Sequence, residues 1–279
     1  MTAFLKMHGL GNDFVVFDGR KGAILLQPQL ARVVADRRLG IGCDQVIVME
    51  PSKNGADIAM RILNADGSEV ESCGNATRCV ARLLMEEKDV AAVRIDTVGG
   101  LLVCTDAGNG RVTVDIGAPH LGWLEIPLAK DVDTDKFPIE ADGARFTASA
   151  VNVGNPHCVL FVDDADVARV AEIGPALEHH PMFPARTNVE FVSRLATDRL
   201  RMRVWERGVG ITLACGTGAC ATAVAAHRRG LVGRDVDIVL DGGELNIVWR
   251  EKDNHILMTG PSSLSFAGDV DLADLERAL

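Results

Sequence analysis

Two cysteines carry most of the chemistry legible in this chain. Cys73 lies in Glu-Ser-Cys73-Gly-Asn-Ala-Thr-Arg-Cys79, and Cys215 in Leu-Ala-Cys215-Gly-Thr-Gly-Ala-Cys220. Each is followed by glycine and an Ala-rich stretch of helical composition. A thiol at a helix start meets the positive end of the helix dipole and unpaired backbone N–H groups. That setting is expected to lower its pKa toward neutrality and make thiolate available. The glycine lets a substrate approach the backbone closely, and the same N–H groups can hold a carboxylate. Two such thiols addressing one carbon from opposite faces supply a base and an acid, as inversion at an acidic Cα–H requires. Helix N-termini aimed at the carboxylate would stabilise the enolate-like charge. No cofactor is then required, and no motif for a Schiff-base lysine is present.

A lone Cys-Gly is weak evidence, because cysteine is among the most buried residue types. Its repetition at the start of two helices is what points to function. Cys43, Cys79, Cys104, Cys158 and Cys220 read as packing residues. The spacings C-x₅-C and C-x₄-C do not suit zinc, so no metal is expected. Gly216-Thr217-Gly218 lacks the Lys-Ser/Thr that ends a phosphate loop.

The elements that must position these thiols come from a duplication. The two cysteines are 215 − 73 = 142 residues apart. At nearly that offset Met60-Arg61-Ile62 falls on Met202-Arg203-Val204, Asn64 on Glu206, Gly11-Asn12 on Gly154-Asn155 and Gln45 on Asn188. Four matches in order indicate two copies of one unit. In each copy a strand follows Gly-Asn. Helices are expected over Pro28–Arg38 and, broken near Gly174-Pro175, over Asp166–His180. Strands follow at Asp57–Asn64 and Leu200–Trp205. A glycine turn (Asp66-Gly67; Gly208) then leads to the cysteine and its helix, Ala76–Glu87 or Ala219–Arg229, the latter stopped by Gly230. Short strands close each copy: Val93–Asp96, Leu101–Thr105 and Arg111–Ile116, then Asp237–Leu240, Glu244–Arg250 and Ile256–Thr259. Gly108-Asn109-Gly110 marks a hairpin.

The expected class is α+β: two pseudo-symmetric domains, each a mixed, mostly antiparallel sheet around helices, with the active site in the cleft between them. The halves are 1–117 and 118–263, with the polar stretch Gly117–Arg145 as linker region. The tail 264–279 is a candidate to pack on the first half.

Composition narrows the partners. Hydrophobic residues at 47% and charged residues at 24% fit a soluble globular protein. Net charge is −10 without a basic stripe, which argues against nucleic acid and anionic membranes. The N-terminus lacks the features of a signal peptide, and no apolar run approaches 18 residues, so a cytoplasmic location is expected. Seven cysteines in such a chain read as reduced thiols. Tyrosine is absent, so no tyrosyl acid or base is available.

Across these segments the sequence resembles the diaminopimelate epimerase family. The resemblance rests on His8-Gly-Leu-Gly-Asn12-Asp-Phe, Gly40-Ile-Gly-Cys-Asp44-Gln45, Asn64-Ala-Asp-Gly and Cys73-Gly74-Asn75 in the first half. In the second it rests on Gly154-Asn155-Pro156-His157-Cys158, Arg186-Thr187-Asn188-Val-Glu, Trp205-Glu206-Arg207-Gly208 and Ala214-Cys215-Gly216-Thr217-Gly218. It implies interconversion of LL- and meso-diaminopimelate, a precursor of lysine and cell wall, by two similar domains, often in a homodimer. Carried over, Cys73 and Cys215 would be the base and acid. Gly74, Asn75, Gly216 and Thr217 would hold the reacting carboxylate. Asn12, Gln45, Asn64, Asn155, Asn188, Glu206 and Arg207 would bind the remaining polar groups, Arg207 suiting the distal carboxylate. His157 and Glu206 would lie near the thiols and tune them. Ile211 and Cys43 stand where the family commonly carries Glu and Ala. Proline racemases and hydroxyproline epimerases are the nearest alternative, also using a cysteine pair; a thiol redox protein or a non-catalytic amino-acid-binding protein are alternatives of another class.

Overall fold

The computed structural model describes residues 1–71 and 73–277; Ser72 of the first cysteine motif and residues 278 and 279 of the tail lie outside the described residues. The chain divides into two compact units, Met1–Val114 with Gly260–Leu279, and Asp115–Thr259.

In the first unit β1 (Thr2–Gly9) and β2 (Asn12–Asp18) form an antiparallel hairpin closed at Gly9 opposite Asn12. Its two turn residues, Leu10 and Gly11, both have positive φ (57° and 83°), the backbone that matches strand twist in a two-residue hairpin. Helix α1 (Pro28–Ala35) carries the chain to β3 (Gln45–Glu50), which runs parallel to β2. β4 (Ile58–Asn64) returns antiparallel, and β5 (Glu69–Val70) leads into α2 (Gly74–Lys88). β6 (Ala92–Thr97) pairs parallel with β4 and antiparallel with β7 (Gly100–Asp106); β8 (Arg111–Gly117) follows.

The second unit repeats this order. β9 (Phe137–Ala141) and β10 (Ala144–Asn152) are antiparallel, as are β10 and β11 (Pro156–Phe161). α3 (Val170–Glu178) crosses to β12 (Asn188–Ala196), parallel to β11. β13 (Arg199–Glu206), β14 (Gly210–Ile211), α4 (Gly216–Arg228), β15 (Asp235–Leu240), β16 (Gly243–Trp249) and β17 (Ile256–Pro261) follow. The pairings copy those of the first unit: β12 with β13 antiparallel, β13 with β15 parallel, β15 with β16 antiparallel.

The tail forms β18 (Ser263–Val270), antiparallel to β1, and α5 (Leu272–Arg277), which packs on α1. β18 occupies beside β1 the place that β9 occupies beside β10. Val270, Leu272 and Leu275 close the first core over Phe4, Val15, Phe17, Leu30 and Val34.

Each cysteine helix packs on its sheet, α2 against β1, β6 and β7 with its last turn exposed. α4 is built almost wholly of small residues, is buried from Gly216 to Ala226 except at Thr217, and touches β10, β11, β12, β13, β15 and β16. A helix without a polar face belongs inside a core.

Three sequence expectations need correction. Gly117–Arg145 is not a plain linker. Ile126, Leu128, Phe137 and Ile139 are buried in the second core, and Phe137–Ala141 alternates buried and exposed as a strand with Pro138 turned outward. α1 ends at Ala35, where Asp36 turns extended and its carboxylate accepts from the N–H groups of Arg38 and Leu39. α3 is shorter than expected and is not broken at Gly174-Pro175, which lie inside it. Gly174 is required there: a Cβ would sit 2.6 Å from Trp205 Cβ.

Candidate functional site

Each unit sets its cysteine at the N-cap of that helix in extended backbone: Cys73 at φ −147° and Cys215 at φ −116°. In the first unit the hairpin turn delivers Asn12 to Cys73. The Cys73 Sγ faces Asn12 Oδ1 at 3.8 Å, and that oxygen also accepts from Asn75 Nδ2 at 3.2 Å. Arg78, fully buried one turn along α2, donates to Asn75 Oδ1 at 2.8 Å. Asn12 Nδ2 in turn donates to Asp44 at 2.9 Å. Gly74 begins the helix. Gln45 and Asn64 face each other on β3 and β4, joined at 2.9 Å, with Asn64 Nδ2 donating to Ser68 Oγ at 3.1 Å.

Behind Asn12 stands an ion cluster absent from the sequence reading. Asp13 accepts from Lys6 Nζ at 2.6 Å and from both Arg37 nitrogens at 2.7 and 3.0 Å; Arg37 also reaches Asp44 at 2.8 Å. Burial opposes its charge, but the Arg37 and Lys6 donors hold the Asp13 carboxyl well below the usual carboxylate range.

In the second unit Cys215 Sγ accepts from Gly218 N at 3.3 Å and lies 3.5 Å from Thr217 Oγ1. Asn155 Nδ2 donates to Thr217 Oγ1 at 3.4 Å, so Asn155 and Thr217 repeat the Asn12–Asn75 pairing. Asn188 Nδ2 donates to Pro156 O at 3.0 Å, and its Oδ1 accepts from Arg207 N at 2.9 Å. The Arg207 side chain is exposed and rests on Ala185 O at 3.1 Å. Glu206 accepts from Thr212 Oγ1 and interacts with the Cys215 thiol.

The electrostatics of Cys215 differ from the sequence expectation. Burial, the Glu206 carboxyl and the Glu190 carboxyl together push the Cys215 thiol well above its ordinary value, overriding the Thr217 and Gly218 donors at the helix start. Burial likewise raises the Glu206 carboxyl against the Thr212 hydrogen bond. Cys43, Cys79 and Cys104 are buried and pushed up to about 12, so they remain thiols. Among the described residues the hydrogen-bond partners of His157 are a carboxylate and an amide. The imidazole is fully buried, with Nδ1 2.6 Å from Glu190 Oε1 and Nε2 2.8 Å from Asn155 Oδ1.

Sequence reasoning passed over two glutamates. Glu190 stood inside a quoted motif without a role. Glu178 of α3 is buried and accepts from Trp205 Nε1 at 2.7 Å and Gly208 N at 2.9 Å, clamping both ends of the Glu206-Arg207 segment. For Glu190 the available signal is its place between Val189 and Phe191 in an apolar run. Ile211 is exposed on β14 beside Trp205, and Cys43 is a core residue.

Comparison with known proteins agrees with this construction. The family model described as diaminopimelate epimerase matches residues 4–122 and 149–265. The chain is 54% identical to a diaminopimelate epimerase of Rhodospirillum centenum, covering 96% of this chain and 91% of that one. It is 52% identical to one of Acidiphilium cryptum, covering 98% and 97%. Among solved structures, a probable proline racemase from Agrobacterium radiobacter superposes with TM-score 0.71 at 18% identity, covering 98% and 93%. A hydroxyproline epimerase from Agrobacterium vitis does so with TM-score 0.71 at 18%, covering 96% and 91%. At that identity the two structures show a shared fold. By its relatives and its family model, the chain belongs to the diaminopimelate epimerase family.

Proposed function

We propose that this family member interconverts LL- and meso-diaminopimelate by proton transfer between two thiols, Cys73 and Cys215, without a cofactor. The observation that carries the reading is the duplicated placement of a cysteine at the N-cap of a helix packed on its sheet, beside an asparagine from a Gly-Asn turn. Inversion needs one group to take the α-proton as another delivers one to the opposite face. Cys215, pushed up by burial and two carboxyls, is the proton donor of the resting enzyme. Cys73 is then the base, and the roles exchange in the reverse direction. First-turn N–H groups at Gly74, Asn75, Gly216 and Thr217 hold the reacting carboxylate and stabilise its enolate charge.

Diaminopimelate has two carboxylates and two ammonium groups, and a specific site must pair each of them. Asn64, Asn155, Asn188, Gln45 and Glu206 supply both hydrogen-bond signs, and the exposed Arg207 guanidinium suits the distal carboxylate. We further place the protein in the cytoplasm as a homodimer; Leu264 and Phe266, half exposed on β18, support the self-association. Among the described residues no helix is long and apolar enough to cross a membrane.

The test is incubation with LL-diaminopimelate in D₂O without added cofactor, following isotope at Cα, with proline in parallel. Deuterium uptake with diaminopimelate alone is expected, and loss of it in Cys73→Ala and Cys215→Ala. A single alanine variant retaining most of the rate refutes the two-thiol scheme.

A further inference from the structure

We propose that Glu190 is a positioning residue that fixes the direction of a hydrogen-bond chain ending on the Cys215 sulfur. The chain runs Glu190 Oε1, His157 Nδ1 (2.6 Å), His157 Nε2, Asn155 Oδ1 (2.8 Å), Asn155 Nδ2, Thr217 Oγ1 (3.4 Å), Cys215 Sγ (3.5 Å). Every link lies in the second unit.

The direction follows from donor and acceptor chemistry. Asn155 turns Oδ1 toward His157 Nε2 at 2.8 Å, so Nε2 carries a hydrogen and donates there. The 2.6 Å contact of Nδ1 with Glu190 Oε1 then holds a second proton, as imidazolium–carboxylate or imidazole–carboxylic acid. The Asn155 amide is thereby turned with Nδ2 toward Thr217, whose oxygen accepts. The Thr217 hydroxyl hydrogen is left for Cys215 Sγ, where it stabilises thiolate. Without Glu190, neutral His157 can carry its hydrogen on Nδ1. Asn155 can then flip and draw the Thr217 hydrogen away from sulfur.

Three observations say that Glu190 serves this chain and not the fold. It is wholly buried, burial raises its carboxyl, and Oε2 has no hydrogen-bond partner among the described residues, a costly state for a packing residue. The duplicated scaffold does without it. At the repeat offset His157 corresponds to Phe14 (157 − 143) and Glu190 to Ile47 (190 − 143), both fully buried apolar residues in the same parallel pairing. Finally, α4 leaves room for it: a Cβ on Gly218 would stand 2.9 Å from Glu190 Oε1 and 3.2 Å from Cys215 Sγ.

The role of Cys215 in catalysis rests on the proposed function, but the chain does not, so the test needs no substrate. In a Cys73→Ala background, the rate of Cys215 alkylation by iodoacetamide is followed against pH by peptide mass spectrometry. It is measured with Glu190→Gln, Thr217→Val and both together. Access to the buried sulfur alters the plateau rate, whereas the midpoint reports thiolate formation. Glu190→Gln is expected to lower the midpoint in Thr217→Val, where only the lost carboxyl charge acts, and to lower it less or raise it with Thr217 present, where the chain is lost too. An equal shift in both backgrounds shows that Glu190 acts through space alone and overturns the chain; no shift in either overturns it also. Nitrogen-15 spectra of His157 are expected to show Nε2 protonated in the parent and a changed tautomer population in Glu190→Gln; unchanged shifts overturn the proposal. Should Glu190→Gln not fold, His157→Phe with Glu190→Ile restores the pair the first unit already packs. The same difference between the two Thr217 backgrounds is expected of it, and an equal shift in both refutes the chain.

Discussion

Replacing Asp13 with Asn tests the ion cluster behind Asn12 in the first unit. Asp13 is largely buried and accepts from Lys6, from both Arg37 nitrogens and from Asp44 N at 2.9 Å. Lys6 is only 8% exposed, and its other partner is the Gly42 carbonyl. Arg37 is 58% exposed in its side chain, so its half of the cluster contributes under about 1 kcal/mol. The dominant loss is the pairing of the buried ammonium; removing one partner of a buried ion pair costs about 3–5 kcal/mol. Asn is therefore expected to destabilise the first unit by about 3–4 kcal/mol at pH 7. The carboxyl of Asp13 is depressed in the folded state. Its contribution is thus fully present above the unfolded value near pH 4 and is lost as pH falls from there toward the folded value. Urea unfolding of both proteins at pH 7 and pH 3 should show a gap that narrows in acid. A gap below about 1 kcal/mol at pH 7, or one undiminished at pH 3, refutes the reasoning. Because Asp44 donates to Asp13 and orients Asn12, a several-fold rise in KM should accompany the loss.

Gly218→Ala gains about 1 kcal/mol of helix propensity, yet its methyl meets a carboxylate oxygen that His157 holds in place. Turnover is expected to fall tenfold or more, about 1.4 kcal/mol of barrier, as steady-state kinetics would show; wild-type turnover would mean Glu190 can swing aside. Glu178→Ala strands the Trp205 indole N–H and the Gly208 N–H. At about 1–3 kcal/mol for each buried unpaired donor, thermal unfolding should report a loss of about 2–4 kcal/mol. Destabilisation under about 1 kcal/mol would show that water replaces the clamp.

The duplication was legible because both thiols are followed by glycine and helix-forming residues, a pattern local in sequence. The same holds for the Gly-Asn turns, where positive φ demands glycine. What was not legible depends on distance along the chain. β9 hides because Pro138 and the charged residues around it mimic a loop, and only the burial of Phe137, Ile139 and Ala141 against β10 discloses a strand. The place of β18 beside β1 pairs residues more than 250 positions apart, such as Met7 with Leu264. The environment of Cys215 was misjudged because a helix dipole is a local inference, whereas the groups that override it, Glu206 and Glu190, arrive from β13 and β12.

The repeat also suits the proposed two-thiol mechanism, in which reversible inversion wants equivalent geometry at both thiols and inequivalent protonation. Equivalent geometry comes from duplicated turns, N-caps and parallel crossovers. Inequivalence comes from a few buried positions. In the first unit Arg78 stands behind the cysteine turn, hydrogen-bonded to Asn75, where the second unit has Cys220 (78 + 142). In the second, Glu190 and His157 replace Ile47 and Phe14. Buried carboxyls favour a thiol, and those of the second unit raise Cys215. The protein thus keeps its symmetry in the chain path and breaks it in the side chains behind each turn. On the proposed two-thiol mechanism, the acid bias of Cys215 should follow Glu206 and Glu190 rather than the helix that carries its sulfur.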